Sequence, residues 1–291
     1  MEPLLQWGLD VIRTVQQVQS PLLNSFFSAV SGLGSSFFLL LVLPALFWCV
    51  DYRLGMRVAV VCTLSAFCNS SLKVLFAQPR PFDLDPALGI GRAGGYGLPS
   101  GHAQESMVLW GSIAHFIGKK WFWAVTAAIL LLIGLSRVYL GVHFPIDVIA
   151  GWTVGVILLW LYVVTCGGIE NWIAAQKTSI QMLLALAVPL GLLLMHGGVV
   201  VVYQAGMLLG IGVGAVIKAR LVPSGSQCTK EKAVARYVIG VVILAGSLSM
   251  LRRLYVHKPA ADYLAAGFFH SACNGIWISL GSPWLFRLLK L

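Results

Sequence analysis

At 291 residues, 58% hydrophobic and 10% charged, with a mean hydropathy of +0.86, the chain lies far from the roughly 45–50% apolar and about 25% charged of soluble domains. That composition excludes a soluble fold, which has no interior large enough for so many apolar residues, and calls for helices that cross a bilayer. The net charge of +10 is scattered between apolar runs without a continuous basic face, which argues against nucleic acid as a partner.

From Pro3 to Ser28 the apolar residues Leu5, Leu9, Ile12, Val15 and Val18 alternate with polar ones, the pattern of an amphipathic helix lying at a membrane surface. No Lys or Arg precedes Arg13, so the basic leader of a cleaved signal peptide is missing, and the first spanning helix is expected to act as an uncleaved signal. Runs of about 20 apolar residues predict spans near Ser31 to Val50, Gly55 to Leu75, His102 to Gly118, Trp121 to Tyr139 and Val148 to Cys166. Further spans are predicted near Ile180 to His196, Val199 to Ile217, Val234 to Leu251 and Leu264 to Leu280, the last interrupted by His270, Cys273 and Asn274. The expected fold is all-α, a polytopic bundle of about nine transmembrane helices. Its organisation is read as an amphipathic segment (1–30), a core (31–170) and a C-terminal transmembrane extension (178–291).

Two connections are long. The one from Phe76 to Gly101 is glycine-rich and polar, and a loop of that length in a compact fold is usually functional. The other, Lys218 to Ala233, reads as a solvated surface loop. Gly151 with Gly155, and Gly206 with Gly210, have the small-x-x-x-small spacing that lets helices approach closely. The six cysteines (Cys49, Cys62, Cys68, Cys166, Cys228 and Cys273) contain no C-x-x-C pair and read as small apolar residues.

Alternating the spans collects Arg53, Arg57, Lys119, Lys120, Lys177, Lys218, Arg220, Lys230, Lys232, Arg236, Arg287 and Lys290 on one side, which is cytoplasmic by the positive-inside rule. The opposite side receives Arg13, Lys73, Arg80, Arg92, Arg137, Arg252, Arg253 and Lys258. Three segments converge there by the parity of the spans: K-V-L-F-A-Q-P-R-P with Lys73 and Arg80, P-S-G-H with Ser100, Gly101 and His102, and S-R-V-Y-L-G-V-H-F-P-I-D from Ser136 to Asp147.

Ionisable groups at membrane depth are costly and usually functional. Arg80 and Arg137 offer planar forks matching two phosphate oxygens, and Lys73 adds a point charge. Ser100 and Gly101 stand where a helix begins, with free N–H groups and the positive dipole end. Pro145 suits a first helical turn, which puts Asp147 four residues from His143, able to accept from one ring nitrogen and leave the other for chemistry. His102, on another helix, can donate a proton to a leaving oxygen. Residue reasoning alone leaves open which histidine is the nucleophile.

Blander readings hold elsewhere. His115, His196, His257 and His270 read as satisfied polar groups, Asp83 and Asp85 with Pro86 as turn formers, and Gln104 and Glu105 as residues favouring a helix N-terminus through its dipole. No metal site or cofactor is expected.

The three segments resemble the type 2 phosphatidic acid phosphatases, the superfamily that includes vanadium haloperoxidases and glucose-6-phosphatase. The family pattern K-x6-R-P, P-S-G-H and S-R-x5-H-x3-D is matched here at every position, between Lys73 and Asp147. The resemblance implies a core of five to six helices and the metal-independent hydrolysis of a lipid phosphate. It implies His143 as the nucleophile forming a phosphohistidine, Asp147 as its orienting partner and His102 as the acid. Lys73, Arg80, Ser100, Gly101 and Arg137 would bind the phosphoryl oxygens. Candidate substrates are phosphatidic acid-like lipids, sphingoid base phosphates and polyprenyl diphosphates, with the loop from Phe82 to Leu98 as a selecting lid. Phosphoryl transfer to a lipid and non-enzymatic lipid phosphate transport are the rival readings. Thr178 onward has no counterpart in the family's six-span members. A bacterial inner membrane with an extracytoplasmic site is the expected setting.

Overall fold

A computed structural model describes residues 3–195, 198–222, 229–255 and 260–291. His196, Cys228, His257 and Lys258 lie outside the described residues, as do the side chains of Arg252 and Arg253. Among the described residues all regular structure is helical. In chain order the helices are α1 (Pro3–Gln16), α2 (Pro21–Gly32), α3 (Ser36–Ala45), α4 (Tyr52–Phe76), α5 (Pro81–Leu84), α6 (Gly101–Ile117) and α7 (Lys120–Tyr139). They continue as α8 (Pro145–Ala174), α9 (Thr178–Met195), α10 (Val199–Leu221), α11 (Lys230–Tyr255), α12 (Ala260–Ile276) and α13 (Ser282–Leu288). Wider π turns follow α3, at Leu46–Val50, and α12, at Trp277–Gly281.

Among the described residues six helices are long and apolar enough to cross a bilayer, or seven if α2 and Ser36–Val50, bent by 49° at their break, count as one. The span expected near Ser31 to Val50 is interrupted between α2 and α3, while the others fall on helices among the described residues, of which α6 and α12 are short, at 17 residues each. At about 1.5 Å per residue such a helix covers roughly 25 Å of a hydrocarbon core about 30 Å thick. α6 also buries the polar Gln104, Ser106 and Ser112, and α12 carries Asn274 beside His270. Both depart from uniform apolarity because they pack against protein. The N-terminal segment differs from its prediction as a single surface helix. Ser20 accepts from the Leu23 amide and Pro21 starts a second helix, so two helices form. The apolar stripe of α1 is buried too, with Leu9 and Ile12 packed among Leu88, Val138, Phe144 and Val148.

The chain divides into two compact units, Met1–Leu39 with Leu64–Val164, and Leu40–Thr63 with Thr165–Leu291. In the first, α8 lies close against the start of α6. A Cβ at Gly151 would stand 2.6 Å from the Ser100 carbonyl, and one at Gly155 would stand 2.7 Å from Met107 Cβ. The α7–α8 turn passes through Gly141 at φ 67, a conformation that favours glycine. α2 packs on α7 through Phe27 and Tyr139, whose hydroxyl donates to Asn24 at 2.7 Å.

In the second unit, α10 packs on α12 through Gly206 and Gly210, which face the carbonyls of Phe268 and Ala272. The spacing of these glycines predicted a close approach. Arg57 forms a two-pronged ion pair with Glu170, at 2.5 and 2.6 Å. None of the five described cysteines forms a disulfide.

Candidate active site

All the residues singled out by the three sequence segments fall in the first unit. The turn after α7 delivers His143 just before Pro145 opens α8, and burial leaves His143 2% and Asp147 0% exposed. Asp147 Oδ2 accepts from the Phe144 amide at 3.0 Å, satisfying an N–H of the first turn of α8. The same oxygen lies 3.2 Å from His143 Nδ1. Since a carboxylate only accepts, Nδ1 carries the ring proton and Nε2 keeps its lone pair. That lone pair faces Arg80 Nη1 at 3.2 Å. Burial, with the charges of Arg80, Arg137, Lys73 and His102 behind it, holds His143 well below the usual histidine value, so the ring is neutral.

Arg80 is 4% exposed and fixed at both ends. Its amide donates to Asp83 Oδ2 at 2.8 Å, so Asp83 acts as the turn former expected of it. Its guanidinium donates from Nε to the Gly95 carbonyl at 2.7 Å, from Nη2 to Gly94 at 2.8 Å and from Nη1 to Val142 at 2.8 Å. Lys73, in the last turn of α4, donates to the carbonyls of Tyr96 and Gly97 at 2.6 and 3.1 Å. Arg137 donates to Ser31 Oγ.

At the start of α6 the Ser100 amide donates to the Asp147 carbonyl at 2.9 Å, which ties the turn before α6 to the first turn of α8. Ser100 Oγ and Arg137 Nε, both buried, have no partner among the described residues. His102 follows Gly101 in the first turn of α6. The structure thus gathers Lys73, Arg80, Ser100, Gly101, His102, Arg137, His143 and Asp147 about one place. Chemically it offers a neutral imidazole with an oriented lone pair, three cations, and a helix N-terminus suited to an anion.

Gln104 and Glu105 correct the sequence reading. Neither side chain serves the helix terminus. Gln104, fully buried, donates to the Ser65 carbonyl and hydroxyl and accepts from Asn69 at 2.9 Å, while Ser65 donates to Glu105 at 2.9 Å. Asn69 also donates to the Pro99 carbonyl at 3.3 Å, so this network steadies the turn before Ser100. Sequence reasoning passed over Ser31, Ser65, Asn69 and Gln78. For Asn69 a signal existed, a polar island at Asn69 to Ser71 inside an apolar run. Gln78 carries no pattern of its own, yet its Nε2 donates to Asp147 Oδ1 at 2.6 Å.

Residues 54–168 match the family described as the PAP2 superfamily, and residues 202–291 match one described as a PAP2 superfamily phosphatase transmembrane extension. The helices from residue 202 onward, which the family's six-span members do not account for, therefore match a known extension of the superfamily. Lipid phosphate phosphatase delta of Arabidopsis thaliana is 27% identical over 62% of this chain, which spans 49% of that relative's length. Lipid A 4'-phosphatase of Porphyromonas gingivalis is 31% identical over 60% of this chain and 80% of its own. The crystal structure of a transmembrane PAP2 type phosphatidylglycerolphosphate phosphatase from Bacillus subtilis superposes with a TM-score of 0.51 at 25% identity, covering 61% of this chain and 90% of that one.

Proposed function

The chain belongs to the PAP2 superfamily, and from that premise we propose that it hydrolyses a phosphomonoester or diphosphate on a membrane lipid, without a metal, through a phosphohistidine at His143. The observation that carries this is the His143–Asp147 pair, with its free ring nitrogen facing a guanidinium among further cations. The names of the relatives, a lipid phosphate phosphatase and a lipid A 4'-phosphatase, support the substrate class.

In this mechanism the phosphoryl oxygens take over the donors of Lys73 and Arg80 that now serve carbonyls of segment 94–97. The Ser100 hydroxyl, Arg137 Nε and the start of α6 complete the cradle. His143 Nε2 attacks phosphorus, the bond to the lipid oxygen breaks, and His102 supplies that oxygen's proton. Asp147 holds the proton on Nδ1 and stabilises the charge that grows on the ring. Water then attacks the phosphohistidine with His102 taking its proton, and inorganic phosphate leaves with His143 restored. The fixed cations supply the charge stabilisation of the pentavalent transition state. By the distribution of cations this chemistry faces the extracytoplasmic side, in a bacterial inner membrane.

The test is release of inorganic phosphate, with EDTA present, from phosphatidic acid and from a polyprenyl diphosphate in detergent. Wild type releases phosphate from at least one lipid, and His143→Ala lowers that rate by about 10³-fold or more. Absence of release from both lipids by folded protein contradicts hydrolysis and favours phosphoryl transfer or transport.

A further inference from the structure

We infer that Gln78 is a positioning residue for this reaction: its side-chain amide holds the Asp147 carboxylate, and through it the His143 imidazole, in the reactive orientation. The inference rests on the reading of His143 and Asp147 as the nucleophilic pair. Gln78 occupies one of the six positions that the K-x6-R-P pattern leaves unspecified, between Lys73 and Arg80.

The geometry makes the case. A carboxylate turns about a broad, two-fold torsion, so one bond does not fix its plane. In Asp147 both bonds to the nucleophile's turn, from Phe144 N–H and His143 Nδ1, end on Oδ2. Oδ1 is held by Gln78 Nε2 at 2.6 Å, at the short end for an amide donating to a charged acceptor. Without that contact the plane of the carboxylate, and so the direction of the His143 lone pair, loses its second anchor.

The backbone is bent to deliver this side chain. Ala77, at the end of α4, sits at φ 46, a conformation that costs a non-glycine residue roughly 1 kcal/mol or more. It turns the chain so that Gln78 points back toward α8, and a strained residue kept beside a reactive group is a mark of function. The carbonyl of Gln78 accepts from the Gly97 amide at 2.8 Å. A Cβ at Gly97 would stand 3.0 Å from Asp147 Oδ2, so the glycine lets segment 94–97 lie against the carboxylate. Gln78 therefore touches both the nucleophilic pair and the segment whose carbonyls occupy Lys73 and Arg80.

Gln78→Leu separates the two contacts, because it removes the amide and keeps the backbone carbonyl. The experiment measures kcat, KM and thermal midpoint for wild type, Gln78→Leu and Gln78→Met in detergent on whichever lipid wild type hydrolyses, phosphatidic acid or a polyprenyl diphosphate, with His143→Ala as the blank. Gln78→Met keeps the length of the side chain and removes the donor, so it guards against a folding artefact of the leucine. Both variants are expected to lower kcat by about 10- to 100-fold with KM within about twofold and an unchanged midpoint, since misplacing a reacting group costs turnover and leaves binding intact. Wild-type kcat in both variants overturns the inference, as does a loss confined to KM or one that tracks a fall in midpoint in both. Active wild type with indifferent Gln78 variants defeats this role alone, whereas wild type inactive on both lipids defeats the hydrolytic reading and this role together.

Discussion

At the scale of the residue, the chemistry depends on keeping one imidazole neutral and aimed. Desolvation, followed by the nearby cations, lowers the affinity of His143 for a proton in the folded state. The unfolded chain binds that proton near pH 6.5, so below that value it gains a proton the native state refuses, and stability falls as pH falls. The slope from this residue is at most about 1.4 kcal/mol per pH unit. The thermal midpoint of wild type is expected to drop between pH 7 and pH 5 by more than that of His143→Gln, as read by thermal scans in detergent. Equal drops contradict a buried neutral His143. The four-residue spacing of His143 and Asp147 across the proline that opens α8 was legible in sequence because it is local. The contacts of Gln78 and Asn69 were not, since each depends on residues 30 or more positions away.

At the scale of the element, the site is built by close helix contact. Gly151 places the first turns of α8 against the Ser100 carbonyl, and the Ser100 amide donates to the Asp147 carbonyl across the same contact. Gly151→Val would force the two helix starts apart. The expected cost is about 1–3 kcal/mol of stability, typical of overpacking, with a loss of turnover larger than the loss of fold accounts for. Full activity in Gly151→Val, assayed on phosphatidic acid with a thermal midpoint on the same sample, contradicts this account. The small-x-x-x-small spacing announced a close contact but not its partner, because spacing names one helix face and says nothing of what meets it. The amphipathic pattern of α1 was equally visible. Its burial against Leu88, Phe144 and Val148 was not, since a stripe that covers protein reads the same as one that meets lipid.

At the scale of the whole molecule, composition alone fixed the class, a helical membrane protein, and the three motifs fixed the family. The span count was less legible. Hydropathy marks α6 and α12 as spans, yet each is 17 residues long and carries polar residues buried in the protein interior. The unit that holds the site is assembled from two stretches, Met1–Leu39 and Leu64–Val164, a division no composition shift marks. The helices after Thr178 showed only generic apolar runs, and those from residue 202 onward found their place in the superfamily by comparison.

The central claim is a covalent bond between phosphorus and His143. It is tested most directly by quenching the protein with alkali during turnover of a lipid labelled with ³²P in its phosphate, then measuring label on the polypeptide. The account predicts bound label that is stable in alkali and lost in acid, present in wild type and absent from His143→Ala. Label persisting on His143→Ala, or none on a wild type that is releasing phosphate, would contradict it.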